Sequence, residues 1–424
     1  MELLEFLNKS VNEYYASKNI CDILEKEHFK CLYLSEKWNL KNGMNYYVKI
    51  DETAVIAFKM GQKESTSDQL FHFQIMASHL DSPVLKIKPN GIINNKGHNL
   101  LNCEVYGGPI LYSWFDKPLG IAGRIMVREN GEIKSQLVNT EKPVAIIASA
   151  PIHLKKENTF NPQKDLLPLI GINDTLDMLN LINKLFGIEK EKIISFDLNL
   201  YNKTDACYLG INNELIASPR LDNLESAYST LMGFIKANPK SIAIYASFNN
   251  EEVGSNTKQG ADSTILYDVL LKIAGSVDNL NMMLAKSFIA SVDNAHAYHP
   301  NYPELYDPTN VCEMNKGIVI KHNANMRYTT DALSEAITIE IMNKANLKYQ
   351  HYTNRSDIRG GSTLGAISSS HLSIPSVDIG LAQLAMHSNY ETAGAKDFKD
   401  LIEFSKCFYN FNIIIDKEKI KVEV

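Results

Sequence analysis

The stretch Ser241–Ser255, SIAIYASFNNEEVGS, constrains this chain more than any other. Ile242 to Phe248 are apolar or small throughout, which predicts a strand buried on both faces. The polarity then reverses into Asn249, Asn250, Glu251 and Glu252, and Gly254 permits a sharp turn. A buried strand with polar groups just beyond its carboxyl end is where open α/β sheets hold ligands and catalytic groups. Adjacent carboxylates repel, and keeping both ionised at one rim needs a compensating cation. With a divalent metal present, one can coordinate it while the other takes a proton from water. Alone, a Glu-Glu pair after a strand is ordinarily a solvated turn, so the remainder of the chain has to decide.

With 424 residues, 45% of them hydrophobic, the chain can bury enough core for two or three structural units. A net charge of −6 leaves neither a basic footprint for nucleic acid nor a polybasic patch for a membrane surface. No apolar run approaches the roughly 18 residues of a membrane span. The start, MELLEFLNKSVNEYYASKN, lacks the basic and then apolar regions of a secretory leader. Cys21, Cys31, Cys103, Cys207, Cys312 and Cys407 are scattered without CxxC spacing, which points to reduced thiols in a cytoplasmic protein and away from zinc–thiolate chemistry.

The apolar spacing predicts helix over residues 1 to about 40, then strands at Tyr46–Val48 and Thr53–Phe58 around a turn at Asp51-Glu52. Leu70–Ser78 is a third strand, running into His79-Leu80-Asp81-Ser82-Pro83. From Val84 to about Leu215, short β-type runs alternate with Gly, Pro and Asn turns, with one helix at Thr175–Phe186. This predicts a β-rich domain over 89–214 inserted into an α/β domain made of 1–88 and 215–424. The α/β pattern resumes with a strand at Glu214–Ser218 and a helix at Leu224–Ala237. Beyond the central strand come a helix near Ser263–Ile273, strands at Ser287–Val292, Gly317–Ile320 and Ser376–Gly380, and an amphipathic helix at Asp331–Ala345. Asp357–Gly365 is a Gly-rich turn into a helix, without the ending of a P-loop, and Lys396–Ile415 is a closing helix.

Five places share one property: a strand, or the loop after it, ends in a ligand for a hard or borderline metal. They are His79, Asp222, the pair Glu251 and Glu252, Asp293 and His387. Asp222 on its own reads better as a helix N-cap, and His79 with Asp81 reads equally as a strand end with a capping acid. Together they supply two His, two Asp and a Glu for two divalent ions, with one Asp bridging and one Glu left as base. The ligand types favour zinc, manganese or cobalt over calcium.

Long ordered motifs on these same residues resemble one family. They are HLDSP (79–83), SPRLDN (218–223), NEEVGS (250–255), SVDNAHAYHPNY (291–302), KHNANMRY (321–328), GGSTLG (360–365) and AMHS (385–388). With FLNKSVNEYYA near the start and EVYGGPILYSWFDKPLGIAGR, the chain resembles the aspartyl aminopeptidase family, which includes vacuolar aminopeptidase I, over nearly its whole length. The resemblance implies an α/β mixed-sheet zinc-aminopeptidase catalytic domain with an inserted, mostly β dimerisation domain, assembled from dimers into a tetrahedral dodecamer. It assigns His79 and Asp293 to one metal, Glu252 and His387 to the other and Asp222 to both. Glu251 becomes the general base and Asp81 the carboxylate that supports His79. It further places His296 and Tyr328 along the substrate, Lys321 at the pocket for the N-terminal side chain, and His153 in a neighbouring subunit's site.

The implied activity is hydrolysis of N-terminal residues, Asp or Glu by preference, from peptides with a free α-amine. Neutral N-terminal residues, or N-acyl amino acids cleaved by a deacylase with the same metals, are the alternatives. A non-catalytic oligomeric shell is the third reading, and an intact Glu251 with five intact ligands argues against it. The chain departs from the family pattern at Leu80, Asn249, Arg359 and Asn389-Tyr390. None of these removes a ligand.

Overall fold

The structure is a computed structural model that describes residues 1–61, 71–156, 159–172, 176–358, 360–361, 363–416 and 419–424. Leu70, Thr175 and Arg359, which carry parts of the sequence reading, lie outside these residues.

A nine-stranded mixed sheet organises the molecule. At its centre Ile242–Phe248, Phe73–His79, Phe288–Val292 and Ser376–Gly380 lie side by side and parallel. Ala54–Lys59 flanks them antiparallel on one side and Ile318–His322 on the other. The apolar run of Ile242–Phe248 follows from double coverage. Ala243 and Tyr245 enter one core with helices Leu221–Lys236 and Asp397–Asn410, while Ile242, Ile244, Ala246 and Phe248 enter a second with Ile265–Ala274. Alternation in a strand sends successive side chains to opposite faces, so a sheet covered on both has no polar position to spare.

Residues 84–202 supply every strand of a separate six-stranded antiparallel sheet, from Val84–Asn95 to Ile193–Asn202. Its core closes with helix Met178–Phe186 and is built from Val84, Leu101, Ile121, Leu198 and their neighbours. A five-stranded sheet joins Cys207–Leu209, Leu215–Ser218, Glu391–Gly394, Ala382–Leu384 and Ala295–His296. The last three of these are short strands that a hydrophobic scan passes over.

Two predicted helices are corrected. The first forty residues form Leu3–Lys9 and Glu13–Lys26, then a short strand at Lys30–Cys31. Asn12 interrupts the pattern because its side chain accepts the Tyr15 N–H and caps the second helix. The closing helix stops at Asn410, and Asn412–Asp416 pairs with Lys419–Glu423 as a hairpin. The run Ile413-Ile414-Ile415 explains the switch, since β-branched side chains favour the pleated backbone.

Helix Ala332–Lys344 buries Ser334, Ile337, Thr338, Ile341 and Met342 as one stripe against the central sheet. It starts with a reciprocal cap: Asp331 accepts the Ser334 N–H at 2.8 Å, and the Ser334 hydroxyl accepts the Asp331 N–H at 3.0 Å. Asp331→Ala should therefore cost about 1 kcal/mol, seen as a lower urea midpoint with an unchanged denaturant slope.

Candidate metal centre

The four central parallel strands end together, and this alignment builds half of the site. Phe248 pairs with His79 and Val292 with Ile379, so Glu251, Glu252, His79 and Asp293 emerge on one rim. Asp222 and His387 come from the five-stranded sheet: one follows Leu215–Ser218, and the other lies between Ala382–Leu384 and Glu391–Gly394. His387 has a left-handed backbone, φ 67°, and the Asp222–Asn223 peptide is cis.

Asp222 is the junction. Its Oδ1 lies 3.5 Å from His79 Nε2, and its Oδ2 lies 3.5 Å from His387 Nε2, one oxygen towards each imidazole. His79 Nε2 is also 3.6 Å from Asp293 Oδ1, and His387 Nε2 is 3.3 Å from Glu252 Oε2. Three overlapping sets of atoms here could hold a metal ion among the described residues: His79 with Asp222 and Asp293, Asp222 with Glu252 and His387, and His79 with Glu251 and Glu252. The separations match the ~3.3 Å edge of a tetrahedron with metal–ligand bonds of about 2.0–2.1 Å. Asp222 Oδ1 and Glu252 Oε1 are buried without a hydrogen-bond partner. Such orphaned lone pairs are costly unless a cation takes them, and the donor set suits zinc.

Surrounding groups aim each ligand. His79 Nδ1 sits 3.1 Å from the Asp81 carbonyl, which turns Nε2 towards the acids. The Asp81 carboxylate accepts the Glu251 N–H at 3.1 Å, the Glu252 N–H at 3.2 Å and the Tyr106 hydroxyl at 2.6 Å. His387 Nδ1 sits 3.0 Å from the Gly108 carbonyl. Glu391 accepts the Asp222 N–H at 3.0 Å and the His387 N–H at 2.7 Å. Tyr106, Gly108 and Glu391 were not foreseen as site residues. Tyr106 and Gly108 belong to the EVYGGP motif, a signal that could have found them, whereas Glu391 carries none.

The electrostatics follow from crowding acids in a buried space. Burial, reinforced by Asp293, Asp81 and Asp222, pushes the Glu251 carboxyl up to about 8. Burial and Asp222 also raise Glu252. Burial opposes protonation of both imidazoles, but Asp222 and Asp293 outweigh it at His79, and Asp222 with Glu252 holds His387 up at about 10. Asp222 itself is kept well below the carboxylate range by His387 and His79 despite its burial.

The remaining predicted residues divide. Lys321 is buried, and its ammonium donates to the Asp293 carbonyl at 2.7 Å and stands over the Tyr328 ring at 5.0 Å. The predicted strand Gly317–Ile320 extends to His322, and alternation turns Lys321 inward. His296 stands at the accessible side of the site against Tyr352, and crowding together with Lys321 holds its imidazole below the ordinary value. His153 does not converge with the others; it lies in an exposed turn of the 84–202 region. Asn249 bonds the backbone N–H of Asn250, and Asn389 N–H donates to Ser113.

A family model described as "Aminopeptidase I zinc metalloprotease (M18)" matches residues 6–409. The chain belongs to the M18 family. As an M18 protein it is a metallo-aminopeptidase, a hydrolase of the zinc-aminopeptidase fold. A "Probable M18 family aminopeptidase 2" of Clostridium novyi is 42% identical, covering 96% of this chain and 98% of that protein. A chain in the cryo-EM structure of the Ape4 and Nbr1 complex superposes with a TM-score of 0.92 at 32% identity, over 96% of this chain and 84% of that one. The S. cerevisiae mApe1 dodecamer superposes at 0.83 with 26% identity, over 96% and 95%.

Gly380 marks how tightly this M18 site is packed, because a Cβ there would fall inside contact distance of the Asp293 carbonyl oxygen. Gly380→Ala must therefore displace Asp293. A shift of about 1 Å in such a site costs on the order of 100-fold, so kcat/KM should fall by about that much, with reduced zinc content and unchanged circular dichroism. Wild-type activity and zinc content would contradict this placement.

Proposed function

We propose that this chain is a cocatalytic aminopeptidase that holds two divalent ions, zinc or alternatively manganese or cobalt, and removes N-terminal Asp or Glu from peptides with a free α-amine. The observation that carries this reading is Asp222, whose two oxygens face two separate imidazoles. His79 and Asp293 would hold one ion and Glu252 and His387 the other, with Asp222 shared. When bound, the ions would lower the pKa of water and polarise the scissile carbonyl.

Glu251 belongs to neither set that contains Asp222, and its Oε2 stands 4.0 Å from His79 Nε2. It would take a proton from the attacking water and pass it to the leaving amine. Asp81 keeps it there through the two backbone bonds. His296 and Tyr328 would line the bound peptide. Glu251→Gln keeps the shape and cannot accept the proton, so kcat should fall by roughly two to four orders of magnitude with metal content retained. Lost metal with normal turnover per bound ion would exchange the roles of Glu251 and Glu252.

The reading extends to assembly from dimers into a tetrahedral dodecamer, with His153 completing a neighbour's site. Ile152 and Leu154 beside it are 77% and 83% exposed, as residues awaiting a partner would be. Mixing His153→Ala with Glu251→Gln subunits should restore activity, because one pairing unites an intact His153 with an intact Glu251. No rescue despite proven subunit exchange sinks the shared site. The six free thiols support a reducing, cytoplasmic setting.

For the acidic preference the support is Lys321, a buried ammonium 3.7 Å from the Asp293 carboxylate at the edge of the site. Its inward bonds favour a second reading, in which it braces Asp293 and the pocket takes neutral side chains. Asp-, Glu-, Leu- and Met-nitroanilides, with N-acyl amino acids beside them, decide between these. The first reading expects Lys321→Met to lower kcat/KM for Asp and Glu at least tenfold more than for Leu and Met. Equal losses on all four would make Lys321 a brace, and turnover of N-acyl substrates alone would indicate a deacylase.

A further inference from the structure

We propose that His322, Glu335 and His351 form a separate site for a divalent transition-metal ion, on the edge of the central sheet and sharing no residue with the catalytic cluster. His322 ends strand Ile318–His322, and His351 lies on the edge strand Tyr349–Thr353, which runs parallel to it. In the register Ile320 is opposite His351, so His322, two residues on, shares its face. That face is the one covered by helix Ala332–Lys344, since Ile318 and Ile320 pack with Ile337 and Ile341. Glu335, in the first turn of the helix, is thereby lowered onto both imidazoles.

The donors converge on one point. Glu335 Oε1 is 3.3 Å from His322 Nε2 and 2.7 Å from His351 Nε2, and all three atoms lie within 4.8 Å of one another. The first distance is already the ~3.3 Å edge of a tetrahedral zinc site, and the second needs to open by about 0.6 Å. The Tyr349 ring meets the His351 imidazole edge-on at 5.6 Å and limits its rotation. Side-chain exposures of 28%, 24% and 43% leave the site open to an incoming ion and to water as further ligand. Two imidazoles and one carboxylate favour zinc, cobalt, nickel or copper over calcium or magnesium. An ordinary surface ion pair needs one imidazole; two aimed at the same oxygen on different strands make a pocket for a cation.

The test uses the full-length protein, stripped with a chelator and dialysed against buffered zinc chloride. At the same free zinc, His351→Asn and Glu335→Gln should each hold one ion fewer per chain than wild type, or bind the last ion at least tenfold more weakly, with circular dichroism unchanged. Equal zinc content in these folded variants would overturn the proposal and leave two imidazoles donating to a carboxylate. Should a variant not fold, wild-type protein answers the same question: saturating zinc should slow carbethoxylation of His322 and His351 at least fivefold, and equal labelling with and without zinc would overturn it.

Discussion

Glu391 accepts the backbone N–H of Asp222 through one carboxylate oxygen and that of His387 through the other. The candidate ligands on the central rim are placed by strand register, but Asp222 and His387 arrive from another sheet and need an independent tie. A wholly buried carboxyl between the two supplies it, and burial pushes that carboxyl up to about 8. Gln383 adds a bond at 3.4 Å to the same group. Were Glu391 to turn away, both backbone N–H groups would lose their acceptor and the two loops would lose this tie between them.

The protein brings Asp222, Glu251, Glu252 and Asp293 into one partly buried space, which opposes folding unless the charge is offset. Protons on the glutamates and imidazoles can do this, and so can metal ions. The two are mutually exclusive at a ligand atom, so metal uptake and proton release are linked. Asp222 stays ionised without metal because the protonated imidazoles flank it, and a bound cation would hold it ionised in their place. This asymmetry gives the site a permanent anionic centre around which the other groups adjust.

The sequence made the central rim legible because parallel strands covered on both faces are uninterrupted apolar runs, and the residue that ends each run stands out. His79, Glu251, Glu252 and Asp293 are all of this kind. Asp222 follows Leu215–Ser218, which the sequence also marks as a strand, whereas the three-residue strand before His387 is too short to show a period and leaves that residue in a loop after Ser376–Gly380. The helix thought to reach Ile415 was misjudged because periodicity alone does not separate a β-branched run from a helix. Glu391 had no signal, since its role depends on two backbone groups brought near only by the fold.

The EVYGGP stretch has a bearing on how such an enzyme could be reduced in size. Tyr106 bonds the carboxylate that carries the Glu251–Glu252 turn, and the Gly108 carbonyl fixes the outer nitrogen of His387. Both lie in the 84–202 region, whose own sheet and core make it look like a detachable accessory. It is instead a wall of the candidate metal centre. Excision of the region would leave a sheet with every residue of the two Asp222-centred ligand sets still encoded and two of them unsupported, so the minimal enzyme is the interrupted one.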